Sequence, residues 1–433
     1  MKYSIYTLGC KVNQYETQAM EQILSGRGHE QGQFDQICDC YIINTCTVTA
    51  VSDKKSRNMI RRVRKLNPDA VVAVCGCYAQ VSPEEVAALD VDVLVGTSGR
   101  EEFLRQIELA VKEKTRYRLV DDAMKRREFE VLPAGGLAAR TRAMLKVQDG
   151  CVNFCTYCII PYARGPLRSL PLEQAVAQAK ECADAGYREL VITGIEISSW
   201  GVEWKNGSCL QDLLAAICEA VPQCRIRLGS LEPRTVDEEF CRTLSRFDNL
   251  CPQFHLSLQS GSDTVLQRMR RKYDTARYLQ SVELLNRYFP GCAVTTDLIV
   301  AFPQETEEEF AESLAFMRTC RLAQVHVFPY SRREGTPAAA MPGQHPNVVK
   351  EARSAAAAAV AAELEEAYET AMIGQTVPVL FEQVEHGRYA GHAPNYVKVY
   401  VSEAELHNQV LPVRITGLFR DGVEGELVKE GTV

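Results

Sequence analysis

Between Ala143 and Phe328, six short runs rich in apolar and β-branched residues alternate with helical segments such as 171–185, 209–219 and 306–317, at a spacing of about 30 residues. The runs are AMLKVQ, ELVITG, RIRLGS, FHLSLQ, AVTTDLIV and QVHVF. Six strand–helix units point to a barrel-like parallel sheet that stops short of the eight units of a complete barrel. Just after the first strand, at the face where such folds keep their chemistry, stands DGCVNFCTYCIIPYARG, residues 149–165. Its cysteines, Cys151, Cys155 and Cys158, are spaced C-x3-C-x2-C. Three thiolates in one loop suit zinc or an iron–sulfur cluster. A structural zinc site needs a fourth Cys or His close by, and the next one is Cys182, in the following helix. A [4Fe–4S] cluster on three cysteines leaves one iron open to a substrate or cofactor. The missing fourth ligand therefore makes the site chemical instead of structural.

Residues 1–120 carry a separate strand–helix rhythm, with YSIYTL, CYIIN, AVVAVC and VDVLVG as buried strands of a small parallel α/β domain. Cys10, Cys46 and Cys77 follow the first three strands. Open α/β sheets place chemistry at the carboxyl ends of strands, so these three can converge in space; the alternative is three unrelated strand-end thiols. Composition does not choose between Cys75 and Cys77. Cys38 and Cys40 lie at the opposite end of a strand and read as structural. Seven Lys or Arg occupy positions 54–65 in DKKSRNMIRRVRKLN, with no Glu at i,i+4 spacing to neutralise them. This run reads as a polyanion contact in preference to a solvated helix face, and Lys54, Arg57, Arg61, Arg64 and Lys65 fall nearest one stripe.

Residues 121–142, with Pro and paired Gly in mid-run, read as a linker between residues 1–120 and a barrel domain over 143–345. An Ala-rich helix over 346–372 connects to 373–433, where short β-type runs and Gly-rich turns indicate a small antiparallel barrel. There Tyr396 and Lys398 make a stack-and-charge pair suited to RNA, with Tyr389, His392 and Arg414 as further choices. The chain has 433 residues and 17 cysteines, and a core of this size needs no disulfide framework. The opening MKYSIYTLGCKVNQYE is too polar for a signal peptide, and no apolar run reaches the roughly 18 residues of a membrane span, so a cytoplasmic enzyme is expected. A net charge of −7 argues against RNA binding over the whole surface and leaves room for a local basic patch.

The cysteine loop, with Tyr157 just before its last cysteine, resembles the signature of radical S-adenosylmethionine enzymes. TLGCKVNQYE, NTCTV, GCYAQ, SRNMIRR, LSLQSGSDTVLQRMRRKY and YSRREGTPA extend the resemblance end to end to the methylthiotransferase family. Within that family they resemble the group that modifies N6-threonylcarbamoyladenosine in tRNA. The resemblance implies a Rossmann-like N-terminal domain, a central partial (β/α)6 radical barrel and a C-terminal TRAM domain that binds RNA. It implies two [4Fe–4S] clusters, one on Cys151, Cys155 and Cys158 and a second on Cys10, Cys46 and Cys77. S-adenosylmethionine serves as methyl donor and radical source. Thr193 and Gly194 are implied as backbone contacts to its amino group, and Ser257, Gln259 and Ser260 as contacts to ribose or carboxylate. Arg271 and Arg332 are implied for carboxylate or substrate. Ala301 and Gln304 stand where the family usually has glycine. The implied partners are a tRNA anticodon stem-loop, a reductase or flavodoxin-type electron donor and a sulfide or persulfide source, acting on a monomer away from membranes. The alternatives are methylthiolation of N6-isopentenyladenosine in tRNA or of a ribosomal-protein aspartate, and a non-catalytic iron–sulfur RNA-binding sensor.

Overall fold

The computed structural model describes residues 1–136 and 141–428. The first sheet has six parallel strands in the order Glu30–Gln31, Lys2–Thr7, Cys40–Thr45, Val71–Gly76, Val93–Val95 and Tyr117–Leu119. The inner four are the runs expected from sequence. The outer two are short, polar and largely exposed, and carry no periodic signal. Tyr3, Ile42, Ala73 and Val93 pack on one face with Met20 and Leu24 of the helix Lys11–Gly26 and with Phe103 and Ile107 of the helix Arg100–Glu113. Tyr41, Ile43, Val72 and Val74 pack on the other face with Ile60 and Val63 of the helix Ala50–Leu66.

All six expected barrel strands are present: Arg142–Asp149, Glu189–Gly194, Arg225–Leu228, Gln253–His255, Ala293–Val300 and Gln324–Pro329. They form two parallel groups of three, bridged at Ile226 to Leu250 and at Leu231 to Leu256. Ala143, Leu145, Ile192, Leu228, Leu298 and Val325 point outward into the helix-covered core. By the two-residue alternation of strands, Lys146, Thr193, Arg227, His255, Asp297 and His326 point inward. Among the described residues the last strand pairs on one side only, which leaves the barrel open along that edge.

The segment read as a linker is a packed strap over its described part; residues 137–140 lie outside the described residues. Leu132 carbonyl accepts from Tyr15 Oη at 2.7 Å and Gln178 Nε2 at 3.0 Å, and Glu130 Oε1 accepts from Arg100 N at 2.6 Å. Pro and Gly here serve to turn backbone carbonyls toward two domains, and not to keep the chain loose. The helix Asn347–Thr370 seats Ala357, Val360 and Ala361 in the barrel core. Beyond it, five strands close a small barrel in the order Thr376–Glu385, Arg388–His392, Lys398–Val401, Gly422–Leu427 and Val410–Phe419. One pairing in it, Lys398–Val401 with Gly422–Leu427, is parallel, so the barrel is antiparallel at every other seam.

The two positions where family glycines are absent both take left-handed backbone, Ala301 at φ +55° and Gln304 at φ +66°. This conformation explains the family preference without any ligand. A side chain there costs about 1–2 kcal/mol, partly offset because glycine gives up more freedom on folding. Gln304 is exposed, so Gln304→Gly is expected to raise unfolding free energy by about 0.5–1 kcal/mol in urea melts. An unchanged midpoint would show that the turn holds no strain.

Candidate functional site

The cysteine loop begins at Gly150, where φ is +79° and an added Cβ would lie 1.9 Å from the carbonyl of Pro166. Only glycine lets the chain double back here. Cys151 N–H donates to the Gly165 carbonyl at 3.0 Å, Thr156 N–H to that of Met269 at 3.1 Å, and Ala338 N–H to that of Thr156 at 2.8 Å. The loop is thus fixed from three parts of the barrel. Burial pushes the thiol of Cys151 up to about 11, with Glu196 and Cys155 adding to the rise, and that of Cys158 up to about 12, with Cys155 and Cys151 adding to it. Three thiols free of disulfides in one fixed loop are a donor set for a cationic group, because coordination removes the proton. Among the described residues no three Cys, His, Asp or Glu side chains close on one point as a single ion requires. A cluster offers a separate iron to each sulfur, whereas a structural zinc site asks for a fourth ligand close by.

Around the loop stand groups matched to an amino acid. Arg271 Nη1 lies 3.1 Å from Cys155 Sγ, with its guanidinium over the Tyr273 ring at 4.8 Å. Glu196 follows the second barrel strand, its N–H bonded to Gln148 Oε1 at 2.7 Å and its Oε2 accepting from Asn153 Nδ2 at 3.2 Å. Burial, reinforced by the Glu232 carboxylate, pushes Glu196 up to about 7. Glu232 shares a small cleft with Asn153, Cys155, Arg270, Arg271 and Lys272. Glu196 and Glu232 were missed from sequence. The only local signal was a Glu just beyond the strand-end glycine in VITGIE.

The other residues implied for S-adenosylmethionine divide. Thr193 lies on the barrel's inner face, Ser257 follows the short strand Gln253–His255, and Gln259, bridged to Leu298, takes left-handed backbone at φ +68°. Gly194 has a reason of its own, since an added Cβ would meet the Gln148 carbonyl at 2.8 Å and Ile197 Cγ2 at 2.9 Å. Ser260 is corrected: it is fully buried, its hydroxyl lies 3.3 Å from Ser313 Oγ, and it accepts from Ser262 N at 3.2 Å, so it builds a turn. Tyr157 packs its ring against Val265, Met269, Phe302 and Tyr330 and braces the loop from below. Arg332 is exposed beside Tyr162, Gly335 and Thr336, at the rim of the cysteine segment. Its neighbour Arg333 is the built-in residue, with Nη1 2.7 Å from Asp53 Oδ2 and Nη2 donating to Thr47 Oγ1 at 2.5 Å.

In the first domain Cys10 caps the helix Lys11–Gly26, Cys46 follows Thr45, and Cys77 opens a short helix after Gly76. An added Cβ on Gly9 would meet Cys46 Cβ at 2.9 Å and Sγ at 3.2 Å, so the Cys10 turn lies directly on Cys46. Burial pushes Cys77 up to about 12, and Cys46 and Cys10 add to the rise. Cys75 points instead into the core with Tyr3, Ile42 and Ala73. The two cysteine loops meet one buried seam. Arg164, in the helix after Cys158, donates to Glu16 Oε1 at 2.5 Å and Asn13 Oδ1 at 2.9 Å, on the helix that Cys10 caps.

Comparison with known proteins gives this arrangement a context. The radical SAM superfamily profile matches residues 145–317, and that of "Uncharacterized protein family UPF0004" matches residues 2–96. The threonylcarbamoyladenosine tRNA methylthiotransferase MtaB of Bacillus subtilis is 41% identical over 98% of this chain and 96% of its own. The chain belongs to the MtaB methylthiotransferase family. A tRNA-2-methylthio-N(6)-dimethylallyladenosine synthase from Moorella thermoacetica is 33% identical over 98% of both chains. Among solved structures, the radical S-adenosylmethionine methyltransferase TsrM of Kitasatospora setae, bound to cobalamin and a [4Fe-4S] cluster, superposes with a TM-score of 0.55 at 17% identity. That match covers 78% of this chain and 77% of TsrM, and it establishes the fold alone.

In this MtaB relative the basic helix is less free than its sequence promised. Arg64 Nη2 sits 2.5 Å from Asp92 Oδ2 and Nε 2.9 Å from the Asp90 carbonyl. Arg57 donates to Tyr78 Oη at 2.9 Å and lies 3.8 Å from Glu85. Their counter-charges come from the loops near residues 85–92, which no i,i+4 rule could reveal. Lys54, Lys55, Arg61, Arg62 and Lys65 remain exposed. In the small barrel, Lys398 is paired with Asp421 at 2.7 Å and Glu385 at 3.0 Å, so its charge is spent. Tyr396 stacks on His392 at 4.7 Å and carries Arg227 over its ring at 4.6 Å. It fastens the small barrel to the base of the large one, and the pairing of Tyr396 and Lys398 as an RNA contact is withdrawn.

Proposed function

We propose that the chain installs a 2-methylthio group on N6-threonylcarbamoyladenosine at position 37 of tRNA, using radical S-adenosylmethionine chemistry. The observation that carries this reading is the shared seam: two cysteine triads in separate domains, each a few residues from Arg164 and its partners. Cys151, Cys155 and Cys158 would hold one [4Fe–4S] cluster, and Cys10, Cys46 and Cys77 a second. The first, when bound, supplies the electron that cleaves S-adenosylmethionine and so the radical that removes hydrogen from C2 of the adenine. Arg271 would meet the carboxylate of S-adenosylmethionine, and Glu196 and Glu232 its ammonium. Thr193 would line the wall beside it, with Gln259 beyond the end of the fourth strand. The second triad keeps the sulfur-bearing site apart from the radical until a base enters between them.

No helix among the described residues is long and apolar enough to cross a membrane. A cytoplasmic monomer served by a flavodoxin-type reductant and a persulfide source completes the reading. Mass analysis of tRNA nucleosides from a deletion strain tests it: the 2-methylthio derivative of threonylcarbamoyladenosine should vanish. Loss of the methylthio-isopentenyl nucleoside in its place would overturn the substrate.

For RNA contact the exposed cations replace the earlier stripe. Lys54→Ala with Arg61→Ala should weaken tRNA binding and lower the slope of log affinity against log salt by about one per phosphate lost. Arg64→Ala should act on stability instead, because it takes from Asp92 its nearer cation and leaves Arg116 at 3.7 Å. Titrations at several salt concentrations decide, and an unchanged slope in the double variant would remove this helix from the interface.

A further inference from the structure

The inner wall of the barrel's second half is a ladder of three rungs, set by the strand registers. His255, Thr295 and Gln324 lie across from one another, then Asp297 and His326, then Ile299 and Phe328. The uppermost rung neighbours the cysteine loop, because Ile299 and Tyr157 pack against the same cluster of Val265, Met269, Phe302 and Tyr330. On the proposed reaction it is the rung nearest S-adenosylmethionine. The rung below it has no assigned role. His326 is exposed although it faces inward, and it makes no hydrogen bond among the described residues. Its ring lies nearly parallel to that of His255, 25° apart with centroids 6.2 Å distant. His255 is in turn held by Thr295 Oγ1 at 3.1 Å and stands 3.5 Å from Asp297 Oδ2. Asp297 keeps a third of its side chain exposed.

An aromatic face left bare inside an enzyme's cavity, on the strand that borders the open edge, is a surface awaiting a flat ring. A carboxylate beside it accepts from N–H or O–H donors. We infer that His326 is the stacking platform for the target nucleobase of the RNA, and that Asp297, oriented by His255, accepts a hydrogen bond from that base's N6 substituent. This rests on the proposed reaction and adds the place where the base sits, one rung below the radical source. Stacking is sequence-tolerant, so the platform confers position, and Asp297 confers the choice of substituent. A carbamoyl side chain offers N–H and O–H groups, whereas an isopentenyl group offers only the N6 hydrogen.

The test uses the full chain with both clusters reconstituted and two synthetic anticodon stem-loops, one with threonylcarbamoyladenosine and one with isopentenyladenosine at the target position. His326→Ala should raise KM for the accepted stem-loop about tenfold or more, as loss of one aromatic–base stack does. It should leave kcat within about twofold and RNA-free formation of 5'-deoxyadenosine unchanged, because the rung above is untouched. His326→Phe should restore KM. Asp297→Asn should cost more on the carbamoyl stem-loop than on the isopentenyl one. An unchanged KM in His326→Ala, or failure of His326→Phe to rescue it, overturns the platform. A loss of RNA-free cleavage would assign His326 to S-adenosylmethionine instead. If the enzyme proves to act on the isopentenyl stem-loop alone, the substrate assignment falls, while the effect of His326→Ala on that stem-loop still decides the platform.

Discussion

Changing Cys151, Cys155 and Cys158 together to alanine is expected to abolish formation of 5'-deoxyadenosine and to remove about half of the bound iron. The effect is complete because no other thiol can take over: the loop is fixed by the backbone bonds of Cys151, Thr156 and Ala338, and Cys182 is buried in the barrel's core. The complementary change, Cys10, Cys46 and Cys77 to alanine, should also remove about half of the iron. It should leave cleavage of S-adenosylmethionine measurable and methylthio transfer lost. Within that triad Cys77→Ala should give the full defect and Cys75→Ala almost none, since Cys75 packs with Tyr3 and Ile42 and Cys77 lies with Cys46 and Cys10. Iron analysis and mass spectrometry of the products read all four. Retention of all iron by the first variant, or zinc as the sole metal in the parent, would refute two clusters. A reversed ranking of Cys75 and Cys77 would refute the second triad as drawn.

Most of the architecture was legible because the signals were local. A run such as AVTTDLIV reads as a buried strand whatever surrounds it, and the three cysteines of one loop declare their own spacing. Convergence of Cys10, Cys46 and Cys77 was legible by a rule about strand ends, since each follows a strand of one parallel sheet. What failed depended on partners remote in sequence. Arg64 is neutralised by Asp90 and Asp92, Lys398 by Asp421, and the hydroxyl of Ser260 is taken by Ser313. The supposed linker is tied down by the side chains of Tyr15 and Gln178 and the backbone N–H of Arg100, from both flanking domains. Arg333 looked no different from Arg332 until Asp53 and Thr47 appeared beside it. Charge and hydroxyl groups carry no mark in sequence of whether they are already satisfied.

Arg164→Met should destabilise the protein by about 3–5 kcal/mol, the usual cost of removing one partner from a buried ion pair. Glu16 is 1% exposed and is met by Arg164 at 2.5 Å, Arg100 at 2.8 Å and Lys146 at 3.9 Å. Asp149 is shared by Lys146, Arg164 and Arg168. Burial pushes the Glu16 carboxyl up, but Arg100, Arg164 and Lys146 outweigh it and hold it down at about 2, from an ordinary 4.5. A depressed carboxylate stabilises the fold at every pH above its unfolded value and stops doing so as pH falls through the folded one. The deficit of Arg164→Met should therefore be full at neutral pH and shrink as pH falls from about 4.5 toward 2, where the parent loses the same interaction. Glu16→Leu should be at least as costly, since it leaves buried Arg100 without its carboxylate and Arg164 with Asp149 alone at 3.6 Å. The double variant should cost clearly less than the sum, because both changes remove one interaction. Function gives a second readout. The Arg164 pair is what joins the helix of Cys10 to the helix after Cys158, so at a temperature where the variant is folded it should still cleave S-adenosylmethionine yet waste most cleavage events without methylthio transfer. Equal coupling in parent and Arg164→Met, or a deficit that persists unchanged at low pH, would show that the seam stabilises the fold without positioning the two cysteine loops.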